Sequence, residues 1–294
     1  MEHATLEIFC AVAEELSVTR AAQRLGRVQS NVTTRVQQLE EELGVALFLR
    51  DNKRMTLSPQ GERFLHYARA MLTLAEEARQ VLHPAEPTGV LRIGSMESTA
   101  ASRLPEPLAA YHRQFPKVRL RLSTGPSRQL VAAVHGRSLD CAFVALPPVA
   151  EGDAAIDLAA LGLASVPVFE EELVLLLPPG HAPVRQVDEI AIRSVAAFPS
   201  GCTYRLITER ILARGPAVAP LDVQEMGSYH GMLACVASGE CVSLMPRSVI
   251  ELMGKPKGMR ELPVTTIDTV LVWRQGYETP AFEALRARVG TASR

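Results

Sequence analysis

The stretch SVTRAAQRLGRVQSNVTTRVQQLEEELGVALFLR, Ser17 to Arg50, reads as two helices, a short turn and the approach to a basic wing. Ala21, Ala22 and Leu25 fall at helical spacing in the first helix. Gly26-Arg27-Val28 forms the turn, its glycine free to take the left-handed backbone that a sharp helix exit needs. The second helix carries Val32, Val36, Leu39 and Leu43 on one stripe. At its N-terminal end the other face shows Gln29, Ser30, Asn31, Thr33, Thr34, Arg35 and Gln38. A face meant only for solvent is usually Glu and Lys. This one is amide, hydroxyl and one guanidinium, the groups that meet base edges and phosphates. Two helices across a tight turn, the second polar at its start, predict a helix-turn-helix with a recognition helix for the major groove.

The whole chain sets the bounds on that reading. Its 294 residues suffice for two or three domains. The formal net charge is -1, so attraction to nucleic acid must be local. Arg20, Arg24, Arg27, Arg35, Arg50, Lys53, Arg54 and Arg63 cluster early, partly offset by Glu40, Glu41, Glu42 and Asp51. Met1-Glu2-His3 leads straight into a helix without a basic-plus-apolar leader, and no apolar run is long enough to span a bilayer. A cytoplasmic protein without a membrane partner is expected. Cys10, Cys141, Cys202, Cys235 and Cys241 are odd in number and scattered, which fits reduced thiols better than a disulfide framework.

Taken in order, Thr5 to Glu15 forms a first helix with Leu6, Phe9, Val12, Ala13 and Leu16 at helical spacing. Ser17 and Thr19 offer cap oxygens for the next helix. Gly44 ends the recognition helix. Val45, Leu47 and Phe48 alternate like a strand, Asp51-Asn52-Lys53 turns, and Met55-Thr56-Leu57 returns. Ser58 caps a long helix from Pro59 to about His83. Phe64, Ala68, Met71, Ala75, Ala78 and Leu82 make a heptad seam there, widened by Tyr67, Leu74 and Val81. That seam serves either packing on its own domain or a dimer. Pro84 to Gly89 breaks the helix as a linker.

From Val90 strands and helices alternate, which predicts parallel sheet with helices on both faces. The expected strands are Val90–Gly94, Val118–Ser123, Cys141–Ala145, Leu173–Leu177, Val195–Phe198, Asp222–Glu225, Cys241–Leu244 and Thr269–Trp273. Helices fall around Leu104–Phe115, Ser127–His135, Tyr204–Ala213, Ser228–Ser238 and from about Pro280. A second module begins near Val166, and two α/β lobes would leave a cleft between them.

At this point the chain resembles the LysR-type transcriptional regulators. The strongest part is Ala21-Ala22, Leu25, Gln29-Ser30-Asn31-Val32-Thr33, Leu39-Glu40-Glu41-Glu42-Leu43-Gly44-Val45, Leu47-Phe48 and Arg50, then Thr56-Leu57-Ser58-Pro59 and Gly61. Weaker echoes are Leu91-Arg92-Ile93-Gly94, Leu139-Asp140 and Ala237-Ser238-Gly239. Many members have Ser before the Gln and Pro after it, where this chain has Val28 and Ser30. The resemblance implies an α+β multidomain chain: a winged helix-turn-helix (1–58), a linker and dimerisation helix with a hinge (59–89), and a two-lobed α/β effector domain like a periplasmic binding protein (90–294). Lobe I would hold about 90–164 and 268–294, lobe II about 165–267. The implied partners are double-stranded promoter DNA, a small-molecule effector, and further copies of the chain in a homodimer or homotetramer.

For DNA, the candidates are Gln29, Ser30, Asn31, Thr33, Thr34 and Arg35 near bases and phosphates, with Arg50, Lys53 and Arg54 on the backbone or in the minor groove. For effector, Ser95, Met96, Ser98 and Thr99 follow the first strand and open a helix, and Thr124 ends the second strand. By resemblance Ser98, Thr99 and Thr203 match effector-contacting positions. Gly201, Cys202, Thr203 and Arg205 open a helix across the cleft, with Arg205 placed to pair with the carboxylate of a small organic acid. The alternative for each position is an ordinary capping residue. Cys202 at a helix N-terminus, with Cys235 or Cys241 as partner, raises a second reading as a thiol redox switch. A third is a ligand-binding α/β protein without a DNA role. No nucleophile elbow, phosphate loop, dinucleotide glycine fingerprint or zinc-protease motif occurs, and the histidines lack metal spacing. No enzyme, cofactor or metal site is expected.

Overall fold

The computed structural model describes residues 1–51, 54–82, 87–146, 156–213 and 220–291. The chain divides into two compact units, one holding Met1–Pro84 and the other most of the remainder.

The first unit contains α1 (His3–Glu15), α2 (Val18–Leu25), α3 (Gln29–Leu43), β1 (Phe48–Asp51), β2 (Arg54–Leu57) and α4 (Pro59–Leu82). Helix α1 starts two residues before the expected Thr5. Of the two expected cap oxygens, Ser17 Oγ does the work, accepting from Arg20 N at 3.3 Å, while Thr19 lies inside α2. Gly26 and Gly44 end α2 and α3 with φ of 63° and 67°. Leu6, Phe9, Val12, Ala21, Ala22, Val32, Val36 and Leu39 make one core. The Phe9 ring packs between Phe48 and Phe64, at 5.5 and 5.1 Å.

The wing starts at Phe48; Val45, expected in the strand, stays outside it and exposed. Strands β1 and β2 pair antiparallel from Phe48–Leu57 to Asp51–Arg54. The expected turn residues Asn52 and Lys53 lie outside the described residues. Glu40, read from sequence as an offsetting charge, accepts from the Leu47 and Phe48 amides at 2.7 and 3.0 Å and so ties α3 to the wing. Ser58 Oγ donates to Ala46 O at 2.6 Å and accepts from Gly61 N at 2.9 Å, capping α4. Helix α4 divides its seam. Phe64, Ala68 and Met71 pack inward on the core, joined by Leu65 and Leu72. Tyr67, Leu74 and Leu82 face outward at 65%, 52% and 75% exposure.

The second unit runs β3 (Gly89–Ser95), α5 (Glu97–Ser102), α6 (Pro105–Gln114), β4 (Val118–Thr124), α7 (Ser127–His135), β5 (Cys141–Ala145), β6 (Leu163–Leu177), β7 (Ser194–Ala197), α8 (Thr203–Ala213), β8 (Asp222–Glu225), α9 (Tyr229–Ala237), β9 (Cys241–Pro246), α10 (Arg247–Met253), β10 (Arg260–Arg274) and α11 (Pro280–Thr291). The strand order is β4-β3-β5-β10-β6-β9-β7-β8. The expectation of parallel sheet holds only at the two ends, where β3 pairs with β4 and β5, and β7 with β8 and β9. The centre is antiparallel: β10 against β5 and β6, and β6 against β9. Strands β6 and β10 are also far longer than the expected Leu173–Leu177 and Thr269–Trp273, because they pair with each other from Leu163–Arg274 to Leu177–Arg260. Pro167, which cannot donate to a ladder, sits beside a register shift between Thr269 and Val270.

A buried carboxylate joins three elements here. Glu171 on β6 accepts from Arg103 Nε at 2.6 Å, at the end of α5, and from Ser248 Oγ at 2.8 Å, on α10. A charge this buried is tolerated because its oxygens are partnered.

A Cβ at Gly61 would lie 2.0 Å from the carbonyl oxygen of Leu47, which is backbone and itself accepts from Ser58 N at 2.9 Å. Gly61→Ala is therefore expected to cost about 3 kcal/mol or more in the first unit, at the upper end of overpacking penalties. Thermal unfolding of the full chain, followed by proteolysis within 1–82, checks this. An unchanged midpoint would mean that the wing yields freely.

Candidate functional site

Two places carry the groups that sequence singles out, one in each unit. In the first, burial of Val32, Val36 and Leu39 fixes the roll of α3. Gln29, Ser30, Asn31, Thr34 and Gln38 are left exposed on its other side. Val28 precedes the helix without a side-chain cap, so first-turn N–H groups are left without a partner from it. Thr33 is half-buried and its Oγ1 donates to Gln29 O at 3.0 Å. Arg35 Nη1 pairs with Glu2 at 2.9 Å, both side chains being solvent-exposed. Such an exposed pair is worth at most about 1 kcal/mol and holds the guanidinium only weakly. Val28, read from sequence only as a turn residue, is 72% exposed beside the helix start. Arg50 and Arg54 lie on β1 and β2, their side chains outside the described residues, as is Lys53 altogether.

In the second unit a cavity of about 250 Å³ lies between the two ends of the sheet. Four helices begin on its wall. Met96, Glu97 and Ser98 come from the start of α5, and Thr124 to Ser127 from the β4–α7 junction. Phe198, Pro199, Cys202, Thr203 and Tyr204 come from the start of α8, and Gly227 and Tyr229 from the start of α9. The sheet puts strand ends and helix N-termini on this side, where α/β folds bind ligands.

Both sides of the cavity hold on to Ala145, the last residue of β5. Thr203 Oγ1 donates to its carbonyl at 2.6 Å, and its N–H donates to Met96 Sδ at 3.2 Å. Ser98 Oγ, Ser127 Oγ and Tyr204 OH are buried on the wall and make no hydrogen bond of good geometry. Burial pushes the Tyr204 and Tyr229 phenols up, so both stay neutral at physiological pH. The Ser98 hydroxyl lies beside both phenols and opposes that shift.

Of the nine effector candidates, the structure brings Met96, Ser98, Thr124, Cys202 and Thr203 to the cavity. Ser95, Thr99, Gly201 and Arg205 lie outside its lining. Ser95 Oγ is spent on Met96 O at 2.9 Å. Thr99 is buried behind the wall, with its hydroxyl unpartnered. Gly201 has φ 95°, and a Cβ there would meet Pro126 Cβ at 3.4 Å. Arg205 is turned away: Nε holds Glu209 at 2.8 Å and Nη1 holds Glu225. The expected cation for an organic acid is thus already neutralised by its own chain. Sequence reasoning missed Tyr229, Phe198 and Gly227. The only local signal was Ser228, whose Oγ caps α9 by accepting from Gly231 N at 3.2 Å.

Two family models account for this architecture. The model described as "Bacterial regulatory helix-turn-helix protein, lysR family" matches residues 3–62, and "LysR substrate binding domain" matches 84–294. The chain belongs to the LysR family of bacterial transcriptional regulators. Among similar members, the regulator YusT of Bacillus subtilis is 40% identical over 85% of this chain and 81% of its own. The regulator GltR of the same organism is 34% identical over 95% and 93%. Among solved structures, CbnR, a LysR family regulator, superposes with a TM-score of 0.67 at 20% identity over 100% of both chains. A full-length OxyR variant from Pseudomonas aeruginosa gives 0.72 at 22%, over 98% and 94%. These two likenesses concern the fold alone. As a LysR-type regulator, the chain is a DNA-binding protein with an effector-binding domain.

The cysteines weigh against the redox reading. All five are free thiols. Burial pushes the Cys202 thiol up, against a smaller opposing pull from the Arg205 and Tyr204 backbone amides at the start of α8. The helix N-terminus, expected to lower it, therefore loses to desolvation. Cys235 and Cys241 neighbour each other, and Cys235 Sγ donates to Gln224 Oε1 at 3.3 Å. Cys202 is accordingly expected to react with iodoacetamide more slowly than free glutathione at pH 7.5, accelerating only as pH rises past the ordinary thiol range. Mass-spectrometric labelling rates check this, and faster-than-glutathione labelling would restore the redox reading.

Proposed function

We propose that this regulator grips promoter DNA as a homo-oligomer through the exposed polar face of α3, and that a small molecule in the cavity sets how tightly. The observation that carries the first half is the exposure of Gln29, Ser30, Asn31 and Thr34 on a helix whose apolar side is fully committed to its own core. Amides and hydroxyls read base edges, while Arg35 and the Arg50–Arg54 wing supply phosphate contacts. The exposed Val28 isopropyl suits a thymine methyl. Work on the chromosome places the protein in the cytoplasm.

The outward Tyr67, Leu74 and Leu82 of α4 support dimerisation, since two half-sites need two recognition helices. Dimers pair into tetramers. A LysR relative solved with its target DNA, CbnR, has the same fold, with a TM-score of 0.65. Residues 1–58 form the DNA-binding domain, 59–89 the linker helix and hinge, and 90–294 the effector domain. Its lobes, 90–164 with 268–294 and 165–267, shift between populations when ligand fills the cavity, which changes the spacing of the DNA-binding pairs.

Gel shifts on the regulator's own promoter test the DNA face. Ser30→Ala and Asn31→Ala are each expected to weaken binding by about fivefold to a hundredfold and to relax sequence preference, as a lost base contact should. Arg35→Ala is expected to weaken binding on all sequences and to reduce the salt slope by about one. Unchanged affinity in both the Ser30 and Asn31 variants would remove α3 from the groove. For assembly, the double change Tyr67→Glu with Leu74→Glu is expected to lower the mass seen by light scattering. A mass equal to that of the parent would place the interface elsewhere.

A further inference from the structure

We infer that the cavity takes a small zwitterion, a free α-amino acid or a molecule with the same adjacent carboxylate and protonated amine. The inference rests on the reading of this cavity as the effector site.

The carboxylate end follows from two independent features of the wall. Helices α7, α8 and α9, of 9, 11 and 9 residues, all present their N-terminal first turns to the cavity. The N–H groups there lack intrahelical partners, and the aligned peptide dipoles favour negative charge. The second feature is a set of buried hydroxyls on the wall. Ser127 is only 2% exposed and its Oγ has no hydrogen-bond partner. Ser98 and Tyr204, 1% and 4% exposed, lie beside each other and make no hydrogen bond of good geometry. A buried polar group left poorly satisfied is unfavourable. Such hydroxyls on one cavity wall mark where ligand oxygens belong, and all three can donate.

The amine end follows from the charges. No Lys, Arg or His lines the cavity among the described residues. Arg205 is held by Glu209 and Glu225. Glu97, by contrast, lines the cavity, has no ion pair among the described residues, and lies close enough for its charge to be felt at the Tyr229 phenol. A bare organic anion would meet this carboxylate with no side-chain cation to offset it. A zwitterion presents its ammonium to Glu97 and its carboxylate to the donors. The edge-to-face pair Phe198–Tyr229, 4.9 Å between centroids, leaves an aromatic surface for the side chain. At about 250 Å³ the space lies below that of drug-sized sites, which suits a single small metabolite.

Calorimetry on the full chain tests this with a panel of the standard L-amino acids, the N-acetyl and amide derivatives of each, and acetate, succinate and butylamine. At least one free amino acid is expected to bind. Its N-acetyl and amide forms should bind at least about tenfold more weakly, and so should the free amino acid to Glu97→Gln, each having lost one charge-assisted contact. Ser127→Trp, which fills the cavity, should abolish binding. Equal affinity of the N-acetyl form, or of Glu97→Gln, would overturn the inference, as would the failure of every amino acid to bind. If acetate, succinate or butylamine bound the parent but not Ser127→Trp, the zwitterion would be wrong while the cavity remained the effector site.

Discussion

The exposed polar face of α3 depends on the burial of three side chains, Val32, Val36 and Leu39, in the core of the first unit. Each contributes roughly 1.5–3 kcal/mol by leaving water, whereas an exposed ion pair such as Arg35–Glu2 contributes about 1 at most. The core therefore sets the roll of α3, and the polar side has no choice but to face outward. The same economy extends to the wing. Glu40, one turn before the end of α3, holds the Leu47 and Phe48 amides, and Ser58 and Gly61 lock the far side of the wing to α4. Helix α3 and the wing are thus placed by one continuous set of contacts.

The effector half is organised by a different constraint. Strands β6 and β10 run side by side from Leu163–Arg274 to Leu177–Arg260, so the two ends of the sheet share their central strands. A cavity between those ends can change only as far as this ladder twists. Glu171 sits on β6 and is held by Arg103 from α5 and Ser248 from α10, while Thr203 ties α8 to β5. The cavity wall is therefore hydrogen-bonded to both ends of the sheet.

Much of this was legible in the sequence, and the exceptions have physical causes. The first unit could be read almost residue by residue because its helices are amphipathic and end in glycines, Gly26 and Gly44, that adopt the expected positive φ. The long strands could not. The segment Val166–Glu172 contains a proline and three consecutive glutamates, and only the fully buried Leu173–Leu177 looked like a strand. Helix α10 follows directly on Pro246 and is too short to show a period. In the cavity, residues beside strand ends were visible because strand-to-helix junctions recur in α/β folds. Tyr229 and Phe198 were not, since only the pairing of β7 with β8 and β9 brings them across. Arg205 was misplaced because it was read without its neighbours. Glu209 stands one turn away and was in plain view, but Glu225 reaches it only through the fold.

The most direct measurement is a photo-cross-link from α3 itself. The full chain would carry a benzophenone amino acid in place of Ser30 and be irradiated on its own promoter fragment. The expected product is a covalent adduct to duplex DNA within the protected site, absent when the same group replaces Glu106 on α6. An adduct only to the protein, with the DNA still bound, would contradict the placement of α3 in the groove.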